Sequence, residues 1–105
     1  MASDINNSIL SGHLLTNPVQ QDDGTVIVTL QNHEEWRDAK GVQQSRENML
    51  GLLALQGDMA AKLLTFRAHQ RVIIIGKLET RPVSGPRGGS GTKTKIRICS
   101  ISRPA

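Results

Sequence analysis

The sequence predicts an all-β fold, a five-stranded barrel with one short α-helix between the third and fourth strands. The chain has 105 residues, enough for one domain with a single core. Apolar and polar residues alternate in several short segments, which is typical of half-buried strands, and helical spacing follows Gly57 alone. With one Trp, one Phe and no Tyr, the core of this single domain, residues 1–105, is expected to be aliphatic.

The first two strands are predicted on either side of residues 22–24, where Asp-Asp-Gly is a turn signal. Residues 1–6 are polar and are expected to be flexible. Residues 8–15 carry apolar side chains on both faces, and Gly12 among them indicates a bend or a close backbone approach. From residue 25 to 31 the alternation is clear, and one apolar face is formed by Val26, Val28 and Leu30.

The middle of the chain is predicted to contain an irregular segment, a third strand and the helix. Residues 32–45 show neither a strand period nor a helix period. Residues 46–56 alternate like a strand, and Asp58 is expected to be the N-cap of a helix that ends near residues 68–69. The apolar side chains at helical spacing, which are expected to plug the core, are Met59, Leu63 and Phe66.

Two basic strands are predicted near the end of the chain, over residues 71–81 and 92–101. Residues 82–91 between them are rich in Gly, Ser and Pro and are expected to form a flexible hairpin loop. The side chains that these strands are expected to turn toward the core are Val72, Ile74, Leu78, Ile96 and Ile98. Five strands and one helix in this order are typical of an oligonucleotide-binding (OB) barrel.

Positive charge is concentrated in the second half of the chain. Residues 1–52 contain three Lys and Arg against seven Asp and Glu, whereas residues 53–105 contain ten against two. Clustered cations gain by releasing counterions from phosphates, so an anionic partner is one explanation and a solvated basic face is the other. The candidate phosphate-contacting side chains are Lys77, Arg81, Arg87, Lys93, Lys95 and Arg97.

The sequence contains no recognisable catalytic, metal-binding or cofactor-binding pattern. The three histidines lack metal-ligand spacing, and residues 85–91 lack the Gly-Lys-Ser/Thr ending of a phosphate-binding loop. Cys99 is the single cysteine, which excludes an intrachain disulfide and fits a reducing compartment. No apolar run approaches membrane-spanning length. We therefore expect a cytoplasmic protein that is not an enzyme and has no cofactor, metal or membrane partner.

Three stretches follow one another here as they do in a known family. Residues 7–14 read NSILSGHL, residues 35–38 read EWRD and residues 70–81 read QRVIIIGKLETR. In this order and spacing they resemble bacterial single-stranded DNA-binding proteins, over nearly the whole chain. The resemblance implies a nucleoid-associated OB barrel that binds single-stranded DNA with little sequence preference, in DNA replication, recombination or repair. Whether it also binds RNA stays open.

The same resemblance implies which side chains contact DNA. The family stacks bases on aromatic rings at four positions, and stacking contributes ~1–3 kcal/mol per base. Only one of the four is aromatic here, so binding is expected to be weaker and to depend more on charge. The four corresponding positions are Trp36, Met49, Leu55 and Val83, and the neighbouring cations Arg37 and Lys40 join the predicted DNA-binding set.

A second resemblance leaves an alternative open. A short chain with few stacking aromatics is also similar to the primosomal replication protein N type. Those proteins have the same barrel, bridge primosome components and bind single strands more by charge than by stacking. Replication-restart or recombination proteins would then be partners. Under either interpretation the resemblance implies assembly through the barrels, as a homodimer or a homotetramer.

Overall fold

The computed structural model of the chain describes residues 4–84 and 90–104. Within these ranges the chain forms six strands and one helix. The helix lies between the third and fourth long strands, as predicted. The elements are β1 Ser8–Leu14, β2 Val19–Gln20, β3 Val26–Arg37, β4 Gln43–Ala54, α1 Asp58–Leu63, β5 Arg71–Ser84 and β6 Ser90–Ser102.

The five long strands close into a barrel. The order is β1, β5, β6, β4, β3, and β1 returns to β3 through the pairs His13 with Gln31 and Leu14 with Leu30. All pairings are antiparallel except β4 with β6. A Cβ atom at Gly12 would lie 2.2 Å from the carbonyl oxygen of Gln31, so the expected close backbone approach occurs where β1 meets β3. This connectivity confirms the predicted OB barrel.

The barrel core is aliphatic as predicted, with Phe66 as its one aromatic residue among those that the structure describes. The inward face of β3 is buried, and α1 and the turn after it cover the core with Leu63 and Phe66, while Met59 packs against it partly buried. Burying one such side chain stabilises the fold by about 1.5–3 kcal/mol. The largest fully buried side chains are Leu14, Val26, Leu30, Leu52, Leu63, Val72, Ile74 and Ile101.

The helix is shorter than predicted and begins differently. Gly57, with φ 127°, occupies the N-cap position, so Asp58 is the first helical residue and makes no capping hydrogen bond. The helix ends at Leu63 instead of residues 68–69. The chain leaves the helix early because it must return to β1, where the N–H of His69 donates to the carbonyl of Leu14 at 2.7 Å.

Residues 32–45 were wrongly predicted to be irregular. β3 and β4 stay paired in an unbroken register out to Arg37 and Gln43, joined by a turn. Beyond the barrel both faces of this ladder meet solvent, so no apolar alternation marks it. Polar side chains join the strands instead: Asn48 Nδ2 donates to Asn32 Oδ1 at 3.2 Å and to Glu34 Oε2 at 3.1 Å. We call residues 32–48 the hairpin arm.

The ladder between β5 and β6 also extends beyond its predicted ends. Residues 82–84 pair with residues 90–92, although all of these except residue 92 were predicted to lie in the loop. Residues 85–89 lie outside the described ranges. Leu78 pairs with the buried Ile96 but is 48% exposed, because it lines a shallow cavity and not the core. The backbone N and O of Leu78 are both hydrogen-bonded to the side chain of Asn6, which fixes one of the residues predicted to be flexible.

Candidate functional site

A groove of about 520 Å³ crosses the outer face of β3, β4 and β6. Side chains alternate along each strand, so this face carries the residues between the buried positions. Register pairs Thr29 with Gly51 across its floor, and Ile27 lies two residues before Thr29 on the same face. Val19 of β2, a strand that was not predicted, lines the groove on one side. The side chains that form the rest of the lining include Met49, Lys93 and Lys95.

Two lysines of β6 stand beside an apolar floor. Lys93 and Lys95 alternate with the buried Ile96 and therefore point outward with Met49, which is 55% exposed. A Cβ atom at Gly51 would lie 3.7 Å from Lys95 Cγ, so the lysine stem lies across the space that a larger residue would fill. The structure thus brings together three of the predicted site residues, Met49, Lys93 and Lys95.

Further cations follow on the adjoining part of the same face. The ladder pairs Lys77 with Arg97 and Glu79 with Lys95. Arg97 Nε forms an ion pair with Glu79 Oε1, which raises the pKa of the guanidinium above its usual value. Both side chains are partly buried, at 30% and 29% exposure. Of the predicted cations, Arg97 is therefore already held by a carboxylate.

For three of the predicted residues the structure describes no side chain. The backbones of Arg81 and Val83 pair with Lys93 and Gly91, and their side chains lie outside what the structure describes. Arg87 lies in residues 85–89, outside the described ranges. Their contact with DNA stays a prediction.

Trp36 lies apart from the groove. It pairs with Gln44, whereas Met49 pairs with Gln31, so strict alternation puts the Trp and Met side chains on opposite faces of the β3–β4 ladder. The Trp ring is 36% exposed, and the guanidinium carbon of Arg46 lies 5.3 Å from its centroid, a cation–π contact. Sequence proximity of Trp36 to charged residues could not reveal this, because its face depends on the strand register.

The two predicted cations next to Trp36 belong to the turn of the hairpin arm. Arg37 Nη1 donates to the carbonyl of Gly41 at 3.1 Å, and Lys40 has an exposed side chain. Asp38 organises the turn: its carboxylate accepts the N–H groups of Val42 and Lys40, which lower its pKa. Arg37 therefore has a structural partner already, and Lys40 is open to solvent.

Leu55, the remaining predicted base platform, is exposed one residue beyond the end of β4. It is separated along the strand from Met49 by Gly51 and Leu53, and it does not line the described groove. Of the four positions that the resemblance implied, the structure therefore does not bring Trp36, Met49 and Leu55 together.

A hydrogen-bonded chain of polar residues, missed by the sequence interpretation, lies next to Met49. His13 Nε2 lies 3.1 Å from Gln31 Oε1, and Gln31 Nε2 donates to Glu47 Oε2 at 3.0 Å. His33 is bonded through its two ring nitrogens to Glu35 and Glu47, and both contacts raise its pKa. In the sequence, this hydrogen-bonded network is indicated only by the alternation of residues 31, 33 and 35. That alternation places the three side chains on one face only if the segment is a strand.

Neither a metal centre nor a membrane span was found in the part of the chain that the structure describes. No three His, Cys, Asp or Glu side chains converge there in a way that could hold an ion. Its helix α1 has six residues, and nothing helical in the same ranges is both long and apolar enough to cross a bilayer.

A second exposed surface lies on the outer face of β1 and β5. Register places Ile9 beside Ile75 and Ser11 beside Ile73, and all three isoleucines are exposed. We call these three side chains the isoleucine face. In the described residues, β1 pairs with β3 only at His13 and Leu14, so the other edge of residues 8–12 has no strand beside it. Apolar side chains were recognised in the sequence on both faces of residues 8–15, but it was not predicted that one of these faces is an exposed surface.

The closed barrel, with its groove over β3, β4 and β6, places the chain among OB-fold proteins. Two solved structures share this fold along almost the whole chain. The structure of Plasmodium falciparum SSB in complex with ssDNA matches with a TM-score of 0.85 at 18% identity, covering 97% of this chain and 95% of that one. The small single-stranded DNA-binding protein from Streptomyces coelicolor matches with a TM-score of 0.73 at 20% identity, covering 97% and 96%.

No protein-family model and no curated protein matches the sequence. At 18% and 20% identity the structural likeness establishes the fold. It confirms that the chain adopts the barrel of single-stranded DNA-binding proteins, as the sequence resemblance implied.

Proposed function

We propose that this protein binds single-stranded DNA with little sequence preference, without catalysing a reaction, and acts in DNA replication, recombination or repair. The observation that carries the proposal is the groove, in which Lys93 and Lys95 flank an apolar floor. It crosses the second and third long strands, the face on which OB folds bind oligonucleotides. Two structural neighbours that are single-stranded DNA-binding proteins support the same ligand.

The chemistry of the groove fits a strand of any sequence. Ile27, Thr29 and Met49 offer mainly apolar contact to bases, and every base has an apolar face. Lysine contacts to phosphate position a strand but do not read its bases. Because no aromatic ring lines the described groove, charge carries most of the affinity, and binding should weaken steeply as salt rises.

Titration of labelled oligo(dT) over a series of salt concentrations tests the proposal. The double variant Lys93→Gln/Lys95→Gln removes two cations and should reduce the slope of log K against log salt by about 1.4, since each phosphate contact on a single strand contributes about 0.7. Lys62→Gln is the matched control, because Lys62 is exposed on α1, away from the groove residues. Absence of binding by the unmodified protein at low salt would refute the proposal. Competition with oligo(U) would measure preference for DNA over RNA.

Trp36 remains a proposed base platform at a second position. A strand that leaves the groove past Met49 must cross to the opposite face of the hairpin arm to reach the indole. Stacking there also requires the ring face that Arg46 leaves uncovered. The variant Trp36→Ala should therefore weaken the binding of long oligonucleotides and leave the binding of short ones unchanged.

The protein self-associates as a homodimer or a homotetramer in this proposal. The isoleucine face supports it, since Ile9, Ile73 and Ile75 form an exposed apolar patch beside an edge of β1 that has no partner strand in the described chain. Solution mass with and without oligo(dT) measures assembly and stoichiometry. Ile75→Lys should yield monomers with an intact fold. An unchanged solution mass would exclude the isoleucine face as the contact between subunits.

A primosomal replication protein N-like adaptor is the second candidate function. It is favoured by Met49 and Leu55, aliphatic residues at positions where the resemblance implied aromatic rings, and by the placement of Trp36 outside the groove. Such an adaptor would bind replication-restart or recombination proteins and hold single strands weakly. Retention of a purified replication-restart protein, together with near-absent oligo(dT) affinity, would select this function over the first.

A further inference from the structure

Glu79 is the only acidic residue among the cations of β5 and β6. From residue 59 to 105 the sequence contains no other Asp or Glu. The ladder sets Glu79 directly opposite Lys95, and the neighbouring outward pair is Lys77 with Arg97. A single carboxylate thus stands in the middle of the basic surface that adjoins the groove.

This carboxylate has a defined partner. Glu79 Oε1 accepts the Nε–H of Arg97, and each side chain is about 30% exposed, so the ion pair is shielded from water over most of its surface. Partial shielding strengthens the attraction relative to a fully solvated pair. A phosphate that approaches Arg97 must therefore compete with the Glu79 carboxylate, which already binds the guanidinium.

We propose that Glu79 is an intramolecular competitor for nucleic-acid phosphate. It holds Arg97 in an ion pair, offsets one positive charge on the basic surface that adjoins the groove and so lowers the affinity for single strands. The inference rests on the proposed function, because the competition matters only if a polyanion enters the groove. Its consequence is a binding surface that releases its strand readily, with Lys93, Lys95 and Lys77 as the remaining cations.

The size of the effect follows from counterion release. One additional cation available to phosphate steepens the dependence of log K on log salt by about 0.7 for a single strand. At about 0.1 M monovalent salt, this corresponds to about fivefold tighter binding. Gln is nearly isosteric with Glu, so Glu79→Gln removes the charge and keeps the packing.

The experiment compares Glu79→Gln with the unmodified protein in salt-dependent titrations of labelled oligo(dT). We expect about fivefold tighter binding at about 0.1 M salt and a slope steeper by about 0.7. Glu34→Gln removes the same charge from the hairpin arm, which is the matched control, and should change affinity less than twofold. In the double variant Glu79→Gln/Arg97→Gln both charges are absent, so affinity should return to within about twofold of the unmodified protein.

Unchanged or weaker binding by Glu79→Gln would overturn the inference, the weaker result indicating that Glu79 positions Arg97 for phosphate. An equal gain in Glu34→Gln would also overturn it, because net charge and not the ion pair would then set the affinity. If neither the unmodified protein nor Glu79→Gln binds at low salt, the proposed function fails as well. Thermal melting of each variant confirms that it is folded.

Discussion

Replacing Met49 by Trp would give the groove the aromatic platform that it lacks. Met49 is 55% exposed on the outer face of β4, and its outward side chain lies beside Lys93 and Lys95. A larger ring at this position extends into open groove without displacing the core. Stacking of one base on an aromatic ring contributes about 1–3 kcal/mol, which corresponds to roughly 5- to 150-fold tighter binding.

The salt dependence separates stacking from charge. Met49→Trp adds no cation, so the slope of log K against log salt should stay unchanged while the whole line moves to higher affinity. Fluorescence anisotropy of labelled oligo(dT) at several salt concentrations measures both quantities. Quenching of indole fluorescence by unlabelled oligo(dT), measured in a Trp36→Phe background, reports contact with the new ring itself.

The matched control is Val42→Trp. Val42 is 53% exposed, close to the value for Met49, but it lies in the turn of the hairpin arm. An indole there should leave the affinity for short oligo(dT) within about twofold of the parent, since Val42 does not line the groove in which short strands are proposed to bind. Equal gains from the two variants, or no gain and no quenching from Met49→Trp, would refute the assignment of the groove as the site where bases lie.

Three further predictions concern the fold and its ionisable groups. Gly12→Ala would place a Cβ atom 2.2 Å from the Gln31 carbonyl oxygen. We therefore expect the free energy of unfolding to fall by about 1–3 kcal/mol. An unchanged midpoint of denaturant unfolding would contradict this expectation. Leu63→Ala should cost about 2–5 kcal/mol in the same assay, because the side chain is fully buried. Glu35 and Glu47 raise the pKa of His33 above its ordinary 6.5. The charged imidazole therefore stabilises the fold fully at pH values below 6.5, and this stabilisation is lost as the pH rises through the pKa of the folded protein. Glu47→Gln should lower the NMR titration midpoint of His33 toward 6.5, and an unmoved midpoint would exclude the contact.

The strands could be predicted from the sequence where one face of the strand is buried and the other is exposed to solvent. Val26, Val28 and Leu30 alternate with less buried residues because the barrel interior lies on one side only, and this contrast is visible in the sequence. It failed in the hairpin arm, where both faces meet solvent and the pairing depends on contacts such as Asn48 with Asn32. No hydrophobic period can mark such a ladder.

The site was only partly predictable for a related reason. The cations Lys93 and Lys95 follow from period two in a strand whose other face is buried, so their outward placement was foreseeable. The face of Trp36 and the ion pair between Arg97 and Glu79 depend on how two strands are aligned. Alignment between strands is set by the folded barrel and leaves no local signal in either strand.

The pairing of β1 with β5 has a consequence for the order of folding. Ser8 pairs with Gly76, so the first strand finds its main partner only after most of the chain has been synthesised. The ladder between β3 and β4 joins neighbouring segments through a short turn and closes a small loop, at a low cost in chain entropy. We therefore expect this hairpin to form early in translation, while residues 8–12 of β1 have no partner strand until β5 emerges from the ribosome. In that interval the nascent chain is most exposed to aggregation.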